Sequence, residues 1–391
     1  MRMTHRLSVL LTLMVVALFG SNRTVAAQIH LEGPVGPGSI YAIDVPDDWN
    51  HDLVLYAHAI VQTSQPVAPP TTQDGYEIIR DRLLAAGYAL AASSYSSNGW
   101  ALDDAVRRTH QLGGLFTSKF GRPRRTFLMG HSLGALAIVK MAERYPTQYV
   151  GALPMCGPLG GALAGVQYAG DARVTFDYYF PGLLPGSPFS VPPDTLFLSP
   201  FDPEGPSPLF LAVYGALAAD PSATFQWATA AALPFANETE LGNSALYVIG
   251  FILRYTNDLI ERVNGKIPYD NTNILYEVNV TPDPVTNAHL SALLNNGVAR
   301  YEADRAATNF YERNYAPTGR ISFPVLTLHT IRDPGVPFAH EAAFADSVEA
   351  AGRAPWLIQI PIDRWGHCAF TPDEVEAAFQ QLVAWVDSGR P

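Results

Sequence analysis

The sequence predicts an α/β protein, a mostly parallel sheet with helices on both faces, interrupted by one long insertion. Three observations predict it. Short apolar runs alternate with stretches of helical period towards both ends of the chain. One run, Arg125 to Met129, leads through Gly130-His131-Ser132-Leu133-Gly134 directly into a helix-forming stretch. Two later apolar runs each lead into a loop that carries one candidate side chain, Asp333 in the first and His367 in the second.

The elements follow in order. Ser39 to Val45 reads as an early strand and Leu53 to Tyr56 as a buried one. Residues 62–73, rich in Pro, Thr and Ser, read as a loop. Gly75 to Ala86 places Ile78, Ile79, Leu83 and Leu84 at helical spacing, and Tyr88 to Ala92 is the next strand. Trp100 to Phe120 carries Ala105, Val106, Leu112, Leu115 and Phe116, the pattern of a helix. After the strand Arg125 to Met129, Ala135 to Arg144 reads as a helix with small residues on its first turn, and Val150 to Met155 as a strand. Near the end, Pro324 to His329 and Trp356 to Ile360 read as strands. Asp373 to Val386 is a helix with Val375, Phe379, Leu382 and Val386 on one face.

Between Gly157 and about Gly319 the alternation stops, proline becomes frequent and aromatic residues scatter. The segment is too long for a bare loop in a compact domain. It reads as a mainly helical cap inserted after the strand that follows the serine helix, with Ser222 to Ala232, Ala245 to Val263 and His289 to Tyr311 as its best helices. Phe225, Trp227, Phe235, Tyr247 and Phe251 are expected in the cap core, the alternative being the wall of an apolar pocket. The expected organisation is a leader over residues 1–27, a core over 28–156 and 320–391, and the cap over 157–319.

Strand, tight turn and helix with a serine at the apex form a nucleophile elbow, whose sharpness calls for glycine on both sides. The order Ser132, Asp333, His367 is the one this arrangement uses, each residue just after a strand, where the C-terminal edge of a parallel sheet gathers loops. The elbow, Asp333-Pro334-Gly335-Val336-Pro337 and Trp365-Gly366-His367-Cys368 together resemble the α/β-hydrolase superfamily, from about Ser39 to the C-terminus with one interruption. The resemblance implies the α/β-hydrolase fold. It also implies Ser132 as nucleophile, His367 as general base and Asp333 as the carboxylate that orients the imidazole. An oxyanion would be met by the N–H of Leu133 and by an N–H from the loop after an early strand. The superfamily often has His-Gly in that loop. Here it reads His58-Ala59-Ile60, so the second donor is assigned to Ile60, with Ala59 as the competing assignment.

Other side chains near these motifs have plainer readings. His131 sits beside the serine on a turn that points it elsewhere, His58 reads as a hydrogen-bonded structural residue, and His340 begins a helix. Asp363 reads as a loop carboxylate, solvated or paired with Arg364. No His or Cys cluster has metal-ligand spacing and no G-x-G-x-x-G or phosphate loop occurs, so neither a metal nor a nucleotide cofactor is expected.

The 391 residues are 48% hydrophobic and 16% charged, enough for a large core, with a formal net charge of −11. The first 27 residues hold Arg2, Arg6 and Arg23 and no acid, so the remainder is more acidic still. Such a body disfavours nucleic acid as a partner and offers no basic membrane patch. Arg2 and Arg6, the apolar run Leu7 to Phe19 and the small residues Val25-Ala26-Ala27 have the pattern of a secretion signal, the alternative being an uncleaved anchor. An exported protein permits a bridge between its two cysteines, Cys156 and Cys368, expected near the same sheet edge. The alternative is two separate buried thiols. Asn237-Glu238-Thr239 and Asn279-Val280-Thr281 are glycosylation sequons.

The expected protein is thus a secreted or periplasmic serine hydrolase acting on small carboxylic esters with apolar or aromatic groups. It should have no membrane span once the signal is removed. One alternative is a capped aminopeptidase, with Glu238, Glu240 or Asp258 holding the substrate amine. The other is a catalytically silent hydrolase fold used for binding.

Overall fold

In the computed structural model, residues 29–73 and 75–389 are described. The leader expected over residues 1–27 lies outside them.

A first strand, β1 (Ile29–Pro34), turns back on β2 (Ile40–Val45) through Gly36 and Gly38, both at positive φ, a conformation that glycine adopts without strain. There follow β3 (Asp52–Ala57), α1 (Tyr76–Ala85), β4 (Ala89–Ser93), α2 (Leu102–Phe120), β5 (Arg125–His131), α3 (Leu133–Arg144) and β6 (Gly151–Met155). A helical segment comes next, α4 (Ala162–Tyr179), α5 (Pro208–Ala219), α6 (Pro221–Ala230), α7 (Glu238–Glu261), α8 (Pro284–Gly297) and α9 (Arg305–Tyr315). The chain closes with β7 (Val325–Arg332), α10 (Ala339–Ala350), β8 (Leu357–Trp365) and α11 (Pro372–Ser388).

The eight strands form one sheet in the order β1-β2-β4-β3-β5-β6-β7-β8. The pairs β1–β2 and β2–β4 are antiparallel, and every pair from β4 to β8 is parallel. The central strands β3, β4 and β6 are buried along their whole length, as near-continuous apolar runs must be when helices cover both faces. Leu53 and Leu55 face the core that holds Leu112, Phe116 and Leu136 of α2 and α3. Their neighbours Val54 and Tyr56 face Leu83, Val375, Phe379 and Leu382 of α1 and α11. Period-two alternation within one strand thus assigns each residue to its layer.

The helical segment has a core of its own, built around Phe176, Trp227, Val248, Ile249 and Ile252. Trp227 is wholly buried and its indole N–H donates to the Ala172 carbonyl at 2.9 Å. The single helix expected from His289 to Tyr311 is two. α8 ends at Gly297, and α9 starts anew where the Asp304 carboxylate accepts from the N–H groups of Ala306 and Ala307. Asn237, part of a sequon, caps α7 by accepting from the Glu240 N–H. Among the described residues no helix is long and apolar enough to cross a membrane.

Candidate active site

Ser132 stands between β5 and α3 at φ 52° and ψ −119°, outside the regions that L-residues favour, at a cost of about 1–3 kcal/mol. Its N–H is tied to the Met155 carbonyl at the end of β6 (2.9 Å). The flanking glycines are there for space and not for positive φ. A Cβ on Gly130 would lie 2.6 Å from the Gly134 carbonyl oxygen, and one on Gly134 would lie 2.1 Å from that of Ala57. The loop after β3 therefore presses directly on the first turn of α3. Leu133 opens that helix, so its N–H is among the first-turn groups without an intrahelical acceptor. Ala59 and half-buried Ile60 lie in the loop after β3, and Ala59 avoids positive φ.

β7 ends at the turn holding Asp333 and β8 at the turn holding His367, and the two turns are joined. Gly366 N–H donates to the Arg332 carbonyl (3.0 Å) and the Thr330 hydroxyl to that of Gly366 (2.6 Å). Asp333 is fully buried, and its Oδ1 accepts from the N–H groups of Gly335 (2.8 Å) and Val336 (2.9 Å). His367 Nδ1 lies 2.8 Å from Asp333 Oδ2, and His367 Nε2 lies 2.9 Å from Ser132 Oγ. Burial alone would raise the Asp333 pKa. The adjacent His367 and His329 rings outweigh it and hold the carboxyl at about 2. An ionised Asp333 only accepts, so His367 carries its proton on Nδ1 and its Nε2 lone pair faces the serine hydroxyl.

Cys156 and Cys368 are joined in a disulfide, with their Cα atoms 5.3 Å apart. It ties the turn after β6 to the residue following His367. Cys156 N–H also donates to the Leu328 carbonyl of β7 (2.8 Å). Among the described residues, Cys156, His367 and Cys368 form the one group of potential ligands close enough to share a metal ion, and both sulfurs are spent in the bridge.

The remaining candidates lie elsewhere in the network. His131 Nδ1 meets the Tyr56 hydroxyl (3.0 Å). His58 stacks on Tyr95 with ring centroids 3.9 Å apart, and its Nδ1 donates to the Ala59 carbonyl (2.6 Å), which braces the loop after β3. Buried His340 accepts the Gly160 N–H. Asp363 pairs with Arg332, not with Arg364, because β8 runs on to Trp365 and sends Arg364 towards Glu374.

The helical segment lies against these turns. Tyr168 of α4 donates its hydroxyl to the Pro334 carbonyl (3.1 Å). On α7, Glu240 pairs with Arg332 (2.9 Å), Ser244 accepts from the Trp365 indole (2.8 Å), and the Tyr247 ring centre lies 6.1 Å from that of His367. Further along α7, Asp258 accepts from Trp100 N–H (2.6 Å) and pairs with Arg262. Tyr247 and Phe251 line a cavity of about 450 Å³ together with Phe197, Phe210, Tyr255 and Trp365. Phe225 and Phe235 line a different one, between α5, α6 and α7.

Sequence reasoning passed over His329 and Glu341, which meet below Asp333 with Nδ1 and Oε1 3.0 Å apart. His329 looked like the end of an apolar run. The one signal available was its spacing, four residues before Asp333.

Residues 19–187, less than half of the chain, match a tannase-like family of unknown function (DUF6351). A sequence search of curated proteins gives no match. Among solved structures, feruloyl esterase B from Aspergillus oryzae aligns with a TM-score of 0.50 at 12% identity, covering 93% of this chain and 81% of that one. Proline iminopeptidase from Mycobacterium smegmatis aligns with a TM-score of 0.45 at 14% identity, covering 92% and 99%. At such identities the likeness concerns fold alone. With its strand order, its parallel crossovers and its serine turn between β5 and α3, the chain has the α/β-hydrolase fold.

Proposed function

We propose that the protein is an exported serine hydrolase that cleaves carboxylic esters through an acyl-enzyme. The observation that carries this reading is the unbroken relay from Asp333 through His367 to Ser132, with contacts of 2.8 and 2.9 Å. A serine hydroxyl is a poor nucleophile until a base takes its proton. In this reading His367 Nε2 takes it as Ser132 Oγ attacks the ester carbonyl, and Asp333 stabilises the imidazolium that forms. The tetrahedral oxyanion is met by the N–H of Leu133 and that of Ile60, or alternatively Ala59. Loss of one such donor costs about 3 kcal/mol of barrier. The imidazolium then protonates the leaving alcohol, and water returns the serine by the same steps.

Residues 157–319 act as a cap, with α4 and α7 over the Asp333 and His367 turns. The leaving oxygen has to come within reach of His367. The aromatic cavity bordered by Tyr247 and Trp365 is therefore a suitable berth for an apolar or aromatic substrate group. An aminopeptidase would need a free carboxylate for the substrate amine. Two of the three candidates are engaged, Glu240 with Arg332 and Asp258 with Arg262, which favours the ester reading.

The test is to compare p-nitrophenyl esters of graded acyl size with aminoacyl anilides. The expected result is turnover of esters and little of anilides. The reverse preference would establish the peptidase, and a folded protein that turns over neither would favour a binding role.

A further inference from the structure

Asp333 has a second histidine partner. His329, in the buried part of β7, reaches the Val336 carbonyl oxygen with Nε2 (2.9 Å), and the same nitrogen lies 3.4 Å from Asp333 Oδ2. Its other nitrogen, Nδ1, lies 3.0 Å from Glu341 Oε1 of α10. Glu341 is itself buried, and its Oε2 accepts from the Thr327 hydroxyl of β7 (2.5 Å) and the Gln359 amide of β8 (2.6 Å). Both Glu341 oxygens are thus placed as acceptors, and a carbonyl oxygen only accepts. Both ring nitrogens of His329 therefore face acceptors, and neither neutral tautomer satisfies both.

We propose that His329 is a positioning residue of the active site, a buried imidazolium clamped between Glu341 and Asp333 that fixes the Asp333 turn from below. Val336 makes the mechanical link. Its N–H donates to Asp333 Oδ1 while its carbonyl receives His329 Nε2–H, so one peptide unit joins the carboxylate to the cation. The cluster holds two carboxylates about one imidazolium, a net charge of −1, with the neutral His367 on the far side of Asp333. His340 of α10 is a further titratable group beside the ring, and its Nδ1 accepts the Gly160 N–H and so carries no proton there. The Phe338 ring stands perpendicular to His329 with centroids 5.8 Å apart, and His329 is fully buried. In keeping with the geometry, the His329 pKa is raised to about 9. Burial would lower it, but Asp333 and Glu341 outweigh that effect.

The inference rests on the reading of Asp333 and His367 as acid and base. It has its own consequences for rate and pH. His329→Gln removes a positive charge from the far side of Asp333, so His367 feels more of the carboxylate field and its imidazolium is favoured. The acid limb of the kcat/KM profile then moves to higher pH. Glu341→Gln removes a negative charge and moves the limb to lower pH. kcat falls several-fold in His329→Gln while KM changes little, because no substrate contact is lost. A merely structural histidine would not give opposite displacements from the two variants. Limbs that stay in place, or move together, would overturn the proposal.

The wild-type protein supplies a second readout that does not depend on how the variants fold. Nitrogen-15 NMR of labelled histidines at neutral pH should find both His329 ring nitrogens protonated, and a neutral ring would equally overturn the assignment. The spectrum needs no turnover. A protein with a doubly protonated His329 but an inert Ser132 therefore counts against the hydrolase reading and not against the charged cluster.

Discussion

Ser132 pays in backbone conformation for its place at the apex, and the surrounding atoms leave it no other. Its N–H is held by Met155, its flanking glycines leave no room for Cβ atoms, and its hydroxyl meets His367. The orientation of His367 depends in turn on Asp333, a buried carboxylate with a fixed set of donors. Asp333→Asn keeps the size of the group but presents an amide, which favours the wrong imidazole tautomer. The expected outcome is a fall in kcat of about 10⁴-fold, the order seen when such a carboxylate is neutralised, with an unchanged circular dichroism spectrum. An unaltered rate would mean that another carboxylate orients the ring.

At the scale of elements, the site is a set of strand ends tied to one another. β5 delivers the serine, β7 the aspartate and β8 the histidine, all at the same edge because these strands run parallel. The Cys156–Cys368 bridge adds a covalent tie between the end of β6 and the histidine turn, across 212 residues of sequence. In the chain-entropy view, closing so long a loop stabilises by as much as ~5 kcal/mol, less any strain. Reduction should therefore lower the melting temperature. It should also slow ester turnover, because the bridge is anchored on the residue next to His367. Calorimetry and a rate assay with and without reductant check both, and identical melting in the two conditions would contradict the structural role.

Elements were legible where local pattern and burial agree. The amphipathic α2, with Leu112 and Phe116 inward, and the apolar β3 and β6 stand close to their expected positions. β1 was missed because it is a half-exposed edge strand with little apolar run of its own. α5 was missed because it carries no charged residue from Pro208 to Ala219, and a helix apolar on all sides has no period to read. The run from His289 to Tyr311 hid its break because Val298, Ala299 and Tyr301 carry the apolar pattern across it, and the Asp304 cap marks the restart.

For the whole molecule, the order of Ser132, Asp333 and His367 along the chain was enough to propose a common site, since a parallel sheet brings distant loops to one edge. What lies over and beneath that site was not legible. The contacts of α4 and α7 with the Asp333 and His367 turns, and the cluster of His329 with Glu341, join residues whose spacing reflects no local period. They arise from packing across layers. The resulting molecule has a sheet that gathers the reactive groups and a helical segment that shapes their surroundings, and the proposed chemistry needs both.

The most direct measurement of that chemistry is covalent labelling with a fluorophosphonate, followed by mass spectrometry of the modified peptide. The account predicts one adduct, on Ser132, absent from Ser132→Ala and strongly slowed in His367→Ala. A folded protein that takes up no label, or one still labelled after Ser132→Ala, would contradict it.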